Sequence, residues 1–347
     1  MKKAIFAIHT EYHLMFALKM ISVVPEFKNC DNIVLRISPT GTHRLRASYN
    51  FYGTGIEYRE LFYNYGLFKE KGFKRELINK VLKETPDFFI LFYELHPWYT
   101  YLLPRLKKLG TKIILAPDGI NLYNSKIDLK RRRAYFFYGN AFLLTNGFPC
   151  IMKYPSDHWA YRKGIDAVAV ENKNALGVKT TKEIIEVGTN EEKTEEVNRL
   201  TNHVFNVIWD NIVSNNSFLW IDQPMEKEEE KRELIILKEL KAKYPDIPFY
   251  IKPHPRSNKE TVDALKNILN ATIVETQFPA ELMLDNLEKV CVISINSTAM
   301  LHYSPRCRYY WIYPMFKNNA GFNPKALLFD HIHVVNSLND IKPYISK

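Results

Sequence analysis

Short apolar runs alternate with longer amphipathic segments along most of the chain. In the first half, a continuous apolar run at residues 4–8 predicts a buried strand, and Thr10 is placed as the N-cap of a helix that reaches about Val23. The same alternation continues beyond this point, and it is typical of a parallel sheet covered by helices on both faces. Further strands are predicted at residues 32–37, 87–92 and 112–116, and further helices at residues 74–84 and 98–109.

The second half repeats this pattern after a change in composition. Residues 154–216 are rich in Lys, Glu, Asn and Thr and give few strand signals, although apolar residues at three- to four-residue spacing predict a helix within residues 189–213. A strand then runs from Phe249 into a Pro-rich turn. The other elements predicted here are strands at residues 218–222, 272–275, 290–294, 309–313 and 333–335, a charged helix at residues 227–243 and a short helix from Pro279.

These elements predict an α/β fold of two Rossmann-like domains that face a central cleft. The expected limits are residues 1–155 for the N-terminal α/β domain and 217–347 for the C-terminal α/β domain. Residues 156–216 are expected to be a linker with a helical segment.

The charge of the chain narrows the class of partner. Its 347 residues include 48 Lys and Arg against 38 Asp and Glu, a formal net charge of +10. This sign suits nucleic acid, an anionic membrane surface, or a phosphorylated or carboxylated substrate. The four cysteines form no C-x-x-C pair, so the sequence indicates neither a zinc site nor a disulfide framework and favours a reducing cytoplasm. The first apolar run is too short for a signal peptide, and no run is long enough to span a membrane.

A basic run beside aromatic residues is a local sign of membrane contact. Residues 126–133 end in Lys130-Arg-Arg-Arg133 and are followed directly by Ala134-Tyr-Phe-Phe-Tyr138. Such a cluster can bind anionic lipid from the side. The alternative is a solvated charge run beside a core helix.

The strongest chemical signal is Lys252-Pro253-His254-Pro255, at the end of a predicted strand. Ser257 and Glu260 have the spacing of a capping box, which predicts that a helix starts directly after the turn. Cationic side chains would then stand at the carboxyl end of a strand beside a helix N-terminus, where open α/β sheets bind ligands and where phosphate binds well.

Two further features lie at the same predicted edge of the second sheet. Glu281 begins a short helix, and Ser294-Ile-Asn-Ser297-Thr298 forms a strand-to-helix turn. A histidine, hydroxyl groups and a carboxylate suit the phosphate and ribose of a nucleotide. The chain contains no P-loop sequence and no H-E-x-x-H or D-x-D metal pattern.

The first domain offers Asp118-Gly119, which follows a predicted strand. Asp-Gly is a common turn pair, so a turn is the plain alternative to a catalytic role.

Together these motifs resemble the bacterial sialyltransferases of the two-domain GT-B type. That group includes the lipooligosaccharide sialyltransferases, the polysialyltransferases and the multifunctional marine and Pasteurella-type enzymes. The resemblance rests on Asp118-Gly119, His254-Pro255 and Ser297-Thr298, which occur in the family's order. Lys252 and Glu281 match donor-site residues of the multifunctional group, and Thr10-Glu11 lies in a stretch similar to the first βα turn of the lipooligosaccharide group. The chain departs from the family where Pro117 replaces the first acidic residue before Gly119.

The resemblance implies an inverting transfer of sialic acid from CMP-sialic acid to a hydroxyl of a lipooligosaccharide or capsule glycan, without a metal or other cofactor. It implies that Asp118 is the general base and that His254 hydrogen-bonds the departing phosphate and can protonate it. Asp222 is the alternative base, because the lipooligosaccharide group can place its base near the His-Pro motif. The acceptor would lie on the side of Thr10, Glu11, Gly119 and Asp222. The donor would be bound by Lys252, Pro253, Glu281, Ser294, Ser297 and Thr298.

Two other functions stay open on the sequence. A related enzyme could use CMP-Kdo, a nucleotide hexose or a polyol phosphate, because a His-Pro turn suits other nucleotides too. A nucleic-acid-binding protein is disfavoured, since no RNA-recognition or helix-turn-helix signature accompanies the basic charge. The sequence also leaves a homodimer open.

Overall fold

The computed structural model contains two compact α/β units, which divide the chain after Asn206. Each unit is built on one parallel sheet, so the predicted class of two Rossmann-like α/β domains is confirmed. The structure describes residues 1–39, 49–63, 73–92, 97–118, 122–123, 129–152, 164–176, 179–188, 191–207, 212–223, 225, 227–254, 257, 259–275, 278–316 and 330–344.

The first unit has a seven-stranded sheet. Its strands are β1 (Lys2–Ile8), β2 (Cys30–Pro39), β3 (Glu57–Tyr63), β4 (Phe88–Leu91), β5 (Lys112–Leu115), β6 (Ala167–Val170) and β7 (Glu183–Glu186). Their order across the sheet is β3-β2-β1-β4-β5-β6-β7. The chain therefore moves outward from β1 to β3 and then returns to the middle at β4. This reversal between β1 and β4 is the point where open α/β sheets bind ligands.

Helices cover this sheet. They are α1 (Glu11–Val23), α2 (Pro25–Lys28), α3 (Phe73–Lys83), α4 (Tyr99–Lys108), α5 (Leu129–Thr145) and α6 (Glu191–Val204). The predicted first helix is confirmed as α1, which is buried from His13 to Val23 because it packs against both β1 and α6. Strand β1 is buried from Ala4 to Ile8, as expected for a central strand of a parallel sheet.

Three strands of the first sheet were not predicted. Residues 156–216, which were expected to be a linker with a helical segment, contribute β6 and β7 to the sheet and α6 to its cover. Strand β7 is a mostly exposed edge strand with a glutamate at each end, and β3 also alternates charged with apolar residues. A short strand at the edge of a sheet has no continuous apolar run, and that run is the signal used to predict strands.

The second unit has a six-stranded parallel sheet in the order β10-β9-β8-β11-β12-β13. These strands are β8 (Ser217–Ile221), β9 (Phe249–Lys252), β10 (Thr272–Ile273), β11 (Val290–Ser294), β12 (Arg308–Trp311) and β13 (Ile332–Val334). Its helices are α7 (Lys227–Lys243), α8 (Lys259–Leu269) and α9 (Ala280–Leu284). The strands and helices predicted for this half are confirmed, and the strand order reverses between β8 and β11.

Two local details differ from the sequence predictions. The turn after Ser294 opens a single 3₁₀ turn, Thr298–Leu301, instead of a regular helix. Helix α8 begins at Lys259, so it starts later than a capping box with Ser257 as the N-cap would place it.

All four cysteines are free thiols. Cys30, Cys291 and Cys307 are buried, and Cys150 is half-buried just after α5. Burial raises the pKa of the Cys291 and Cys307 thiols to about 11.

No helix in the described part of the chain has both the length and the apolar character needed to cross a bilayer.

Candidate functional site

In the first unit, the loop after β1 is shaped by the start of α1. The Thr10 side chain accepts a hydrogen bond of 3.2 Å from the backbone N–H of His13, so the predicted N-cap is confirmed. Glu11 is the first residue of the helix and lies in its first turn, where a negative charge interacts favourably with the helix dipole. Both predicted acceptor-side residues therefore lie at the carboxyl edge of the sheet, next to the reversal in strand order.

Asp118, predicted as the base, lies at the same edge just after β5 and is paired with His13. The distance from His13 Nε2 to Asp118 Oδ1 is 3.0 Å. The His13 side chain is 2% exposed and that of Asp118 is 31% exposed, so the carboxylate is the solvent-accessible member of the pair. Asp118 is therefore held by a specific contact and does more than form a turn. Gly119 lies outside the described residues.

The tautomer of His13 follows from its second contact. The backbone N–H of His9 donates to His13 Nδ1 at 3.2 Å, so this nitrogen carries no proton. The ring proton is then on Nε2 and is donated to Asp118 Oδ1. The ring of Phe92 stacks on the imidazole with a centroid distance of 4.5 Å and an interplanar angle of 13°.

His9 completes this cluster as a neutral group. Its Nδ1 lies 3.0 Å from the carbonyl oxygen of Ile37, so Nδ1 donates, and its Nε2 lies 3.3 Å from the hydroxyl of Tyr99, which then donates. Burial of the ring, with the neighbouring His13, lowers the pKa of His9 to about 4. His9 therefore links three elements without carrying charge at neutral pH.

In the second unit, Asp222 joins the loops that follow β8 and β9. It is 2% exposed, and its carboxylate accepts hydrogen bonds from the backbone N–H groups of Gln223 at 2.8 Å and His254 at 3.4 Å. Burial raises the pKa of the Asp222 carboxyl. Asp222 thus anchors the backbone of the His-Pro turn. The half-buried Lys252, Pro253 and His254 end β9 at this edge, and Pro255 lies outside the described residues.

The Ser-Thr turn lies at the same edge, after β11. Ser294 is fully buried, and its hydroxyl donates to the carbonyl of Ile221 at 2.9 Å and accepts from the backbone N–H of Ser297 at 3.2 Å. Ser297 in turn caps the 3₁₀ turn by accepting from the backbone N–H of Ala299. Thr298 is half-buried, so it is more exposed than the other two hydroxyl residues of the turn.

These loops are connected to one another. The Gln223 side-chain oxygen accepts from the backbone N–H of Asn296 at 3.2 Å, so the loop after β8 is bonded to the loop after β11 as well as to the His-Pro turn. The structure therefore brings the predicted phosphate-binding residues of the second unit to one connected edge.

Glu281 lies in the first turn of α9, behind Pro279 as N-cap, and is only 6% exposed. Helix α9 is fixed beside the Ser-Thr turn by His302, whose Nε2 lies 2.6 Å from Asp285 Oδ1. Both members of that pair are nearly buried. The pair spans 17 residues of sequence, and no local motif indicated it.

Sequence reasoning also missed a buried carboxyl behind Asp222. Glu233 on α7 is 1% exposed and accepts a hydrogen bond of 2.9 Å from the indole N–H of Trp220 on β8. Burial, followed by the nearby Asp222, raises the pKa of Glu233 to about 8. Glu233 is therefore mainly protonated at neutral pH.

This proton makes the stability of the second unit depend on pH. The pKa of Glu233 is 4.5 as a free side chain and about 8 in the folded unit. Between these values the folded state holds a proton that the unfolded state has lost, so the free energy of unfolding falls as pH rises toward 8. Glu233→Gln keeps the shape and stays neutral. We expect it to raise the unfolding temperature at about pH 9 and to change it little at about pH 6, measured by thermal denaturation.

The matched control is Glu228→Gln, an exposed position on the same helix, which should alter neither value. Wild-type and Glu233→Gln curves that stay parallel across the pH range would contradict a buried, protonated Glu233.

Comparisons with known proteins place these residues in context. The profile of the family described as alpha-2,8-polysialyltransferase (POLYST) matches residues 57–306, more than two thirds of the chain. The matched range contains Asp118, Asp222, His254, Glu281 and Ser297. No curated protein was found to match the sequence.

Solved structures show the fold. The glycotransferase of kitacinnamycin aligns with a TM-score of 0.53 at 10% identity, over 99% of this chain and 87% of that chain. The GT-B domain of a sialyltransferase from Photobacterium damselae aligns with a TM-score of 0.49 at 11% identity, over 94% of each chain. A Photobacterium sp. 2,6-sialyltransferase, solved with CMP and lactose, aligns with a TM-score of 0.46 at 12% identity, over 96% of this chain and 78% of that chain.

Proposed function

Because the chain belongs to the alpha-2,8-polysialyltransferase (POLYST) family, we propose that it transfers sialic acid from CMP-sialic acid to a hydroxyl group of a bacterial surface glycan, either lipooligosaccharide or capsule. Family membership makes the chain a glycosyltransferase of the bacterial GT-B sialyltransferase type. The donor, the acceptor and the residue roles below belong to the proposal. The family match carries it, because it spans the candidate residues of both units.

The proposed reaction inverts the configuration at the anomeric carbon of sialic acid. Asp118 takes the proton of the acceptor hydroxyl while that oxygen bonds to the anomeric carbon. The bond from this carbon to the phosphate oxygen breaks, and CMP leaves with the electron pair. The position of Asp118 supports this role, since its partly exposed carboxylate lies at the edge where ligands bind.

The proposed donor site is in the second unit. His254 would hydrogen-bond the departing phosphate and can protonate it, while Thr298 and the backbone of the turn capped by Ser297 would bind other phosphate oxygens. Lys252 would add positive charge nearby. The connected loops after β8, β9 and β11 support this assignment, because preorganised donors stabilise developing charge better than mobile ones.

Glu281 would accept hydrogen bonds from the ribose hydroxyls. Since only 6% of Glu281 is exposed, the ribose would have to reach the N-terminal end of α9 itself. Ser294, whose hydroxyl contacts two backbone groups, would contribute by shaping the turn.

We propose that the reaction needs no metal ion. The leaving group is a phosphate monoester, and its charge is small enough for protein donors and a lysine to stabilise. Full activity after treatment with a chelator is the expected result, and loss of activity that added Mg²⁺ restores would contradict it.

Nucleotide binding tests the donor. CMP should raise the unfolding temperature, whereas UDP and GDP at the same concentration should not. A ligand at 100 times its dissociation constant stabilises the folded state by about 2.7 kcal/mol, which thermal denaturation detects readily.

A shift with UDP alone would replace CMP-sialic acid by a nucleotide hexose. A shift with CMP but transfer only from CMP-Kdo would change the sugar and keep the fold of the argument. A shift with neither, together with a shift on adding RNA, would favour the nucleic-acid-binding alternative.

We propose a peripheral position on the inner face of the cytoplasmic membrane. Helix α5 supports it, because Phe137 is 62% exposed and Leu144 is 67% exposed, and Ile151 just beyond the helix is 71% exposed. The first turn of this helix contains Lys130-Arg-Arg-Arg133, a charge that suits anionic lipid. Flotation with phosphatidylglycerol vesicles tests the contact, and equal binding to phosphatidylcholine vesicles alone would contradict it.

A further inference from the structure

We propose that His13 is the residue that positions Asp118 for catalysis, by donating a hydrogen bond that fixes the direction of its carboxylate. The inference rests on the proposed role of Asp118 as the base. It concerns a side chain to which the sequence motifs assign no role.

His13 has the contacts needed to hold a partner. Its imidazole is held from three directions: by its own helix α1, by the backbone N–H of His9 after β1, and by the stacked ring of Phe92 after β4. These elements meet where the strand order reverses. Asp118, which follows β5, is thereby tied to the two central strands through one side chain.

The fixed tautomer determines the direction of the hydrogen bond. Nδ1 faces the N–H of His9 and is an acceptor, so Nε2 is the protonated nitrogen and donates to Asp118 Oδ1. A donor at this distance favours the ionised carboxylate, which is the form that can accept a proton. The contact also orients the carboxylate toward the acceptor hydroxyl.

The same geometry rules out a proton relay from Asp118 to His13. A second ring proton would have to sit on Nδ1, directly opposite the His9 N–H, and two donors would then face each other. Asp118 must therefore keep the acceptor proton until it exchanges with solvent. This makes His13 a positioning residue and not a second base.

Two substitutions separate the contacts of His13. His13→Gln can place an amide N–H near the position of Nε2 and so keep the donor to Asp118. His13→Asn can keep an acceptor near the position of Nδ1 for the His9 N–H, but its side chain is too short to reach Asp118. We expect His13→Asn to lower kcat by about 10- to 100-fold, the usual effect of losing a hydrogen bond to a charged group, with KM for the donor little changed. His13→Gln should retain most of kcat.

The double variant tests whether His13 acts through Asp118. In an Asp118→Asn background, His13→Asn should cause little further loss, because the group that it positions is already inactive. Equal losses in the Asn and Gln variants, normal kcat in His13→Asn, or full additivity with Asp118→Asn would each overturn the inference.

The outcomes also distinguish this inference from the proposed function. An active Asp118→Asn enzyme would refute the base itself, whereas an inactive Asp118→Asn enzyme beside a fully active His13→Asn enzyme would refute only the role of His13. Nitrogen NMR of the wild-type protein gives a test that does not depend on variants. It should find Nε2 protonated and Nδ1 unprotonated at His13, and the opposite tautomer or a doubly protonated ring would overturn the proposal.

Discussion

Asp118→Asn is expected to lower the rate of sialyl transfer by about 10³-fold, within the usual contribution of a general base, while CMP affinity stays unchanged. Asn has nearly the same size as Asp, and its side-chain oxygen can still accept the hydrogen bond from His13 Nε2. The amide cannot take a proton from the acceptor hydroxyl. Initial rates with CMP-sialic acid, together with CMP titration by calorimetry, measure both properties.

Asp222→Asn is the companion experiment, because Asp222 is the alternative base. This carboxylate is buried and accepts from the backbone N–H groups of Gln223 and His254, so an amide N–H₂ in its place would face one of these donors. We expect it to weaken CMP binding and lower stability as well as activity. A fully active Asp118→Asn enzyme beside an inactive Asp222→Asn enzyme with normal CMP affinity would move the base into the second domain.

His254→Ala is expected to reduce turnover by about 10²-fold or more, the loss associated with removing an acid-base group or a preorganised donor to a phosphate. The fold of the turn should persist, since Asp222 holds the backbone N–H of residue 254 and not its imidazole. Turnover measured at saturating donor separates the chemical step from binding.

His333→Ala on β13 is the matched control, because this histidine is exposed and has no proposed role. It should leave turnover within experimental error of the wild type. Near-normal turnover in His254→Ala as well would mean that the His-Pro turn serves only to end a strand.

The sequence predicted the central strands of both sheets but not their edges. Strands such as β1, β8 and β11 are buried on both faces and appear as uninterrupted apolar runs. The edge strand β7, Glu-Ile-Ile-Glu, is exposed at both ends and cannot be told from a loop by its pattern. The position of an edge strand is set by pairing with its neighbour, which is a contact between residues distant in sequence.

The candidate site divides in the same way. Asp118 and His254 could be selected because each stands beside a turn signal at the end of a predicted strand. His13 is 105 residues from Asp118, and Glu233 is 13 residues from Trp220 on a different element. Their importance comes from a partner across the fold, and a single sequence carries no local pattern for such a pair.

The burial of the cysteines has a practical consequence for labelling. Thiol reagents attack the thiolate, and the three buried cysteines are both shielded and slow to ionise, since burial raises the pKa of two of them to about 11. Cys150 is the most accessible of the four, so a maleimide dye used in limiting amount should attach there first. The dye would stand beside Ile151, next to the exposed face of α5. The native chain thus offers its own attachment point for an environment-sensitive fluorophore, whose blue shift on adding anionic vesicles would report contact at this face without any engineered cysteine.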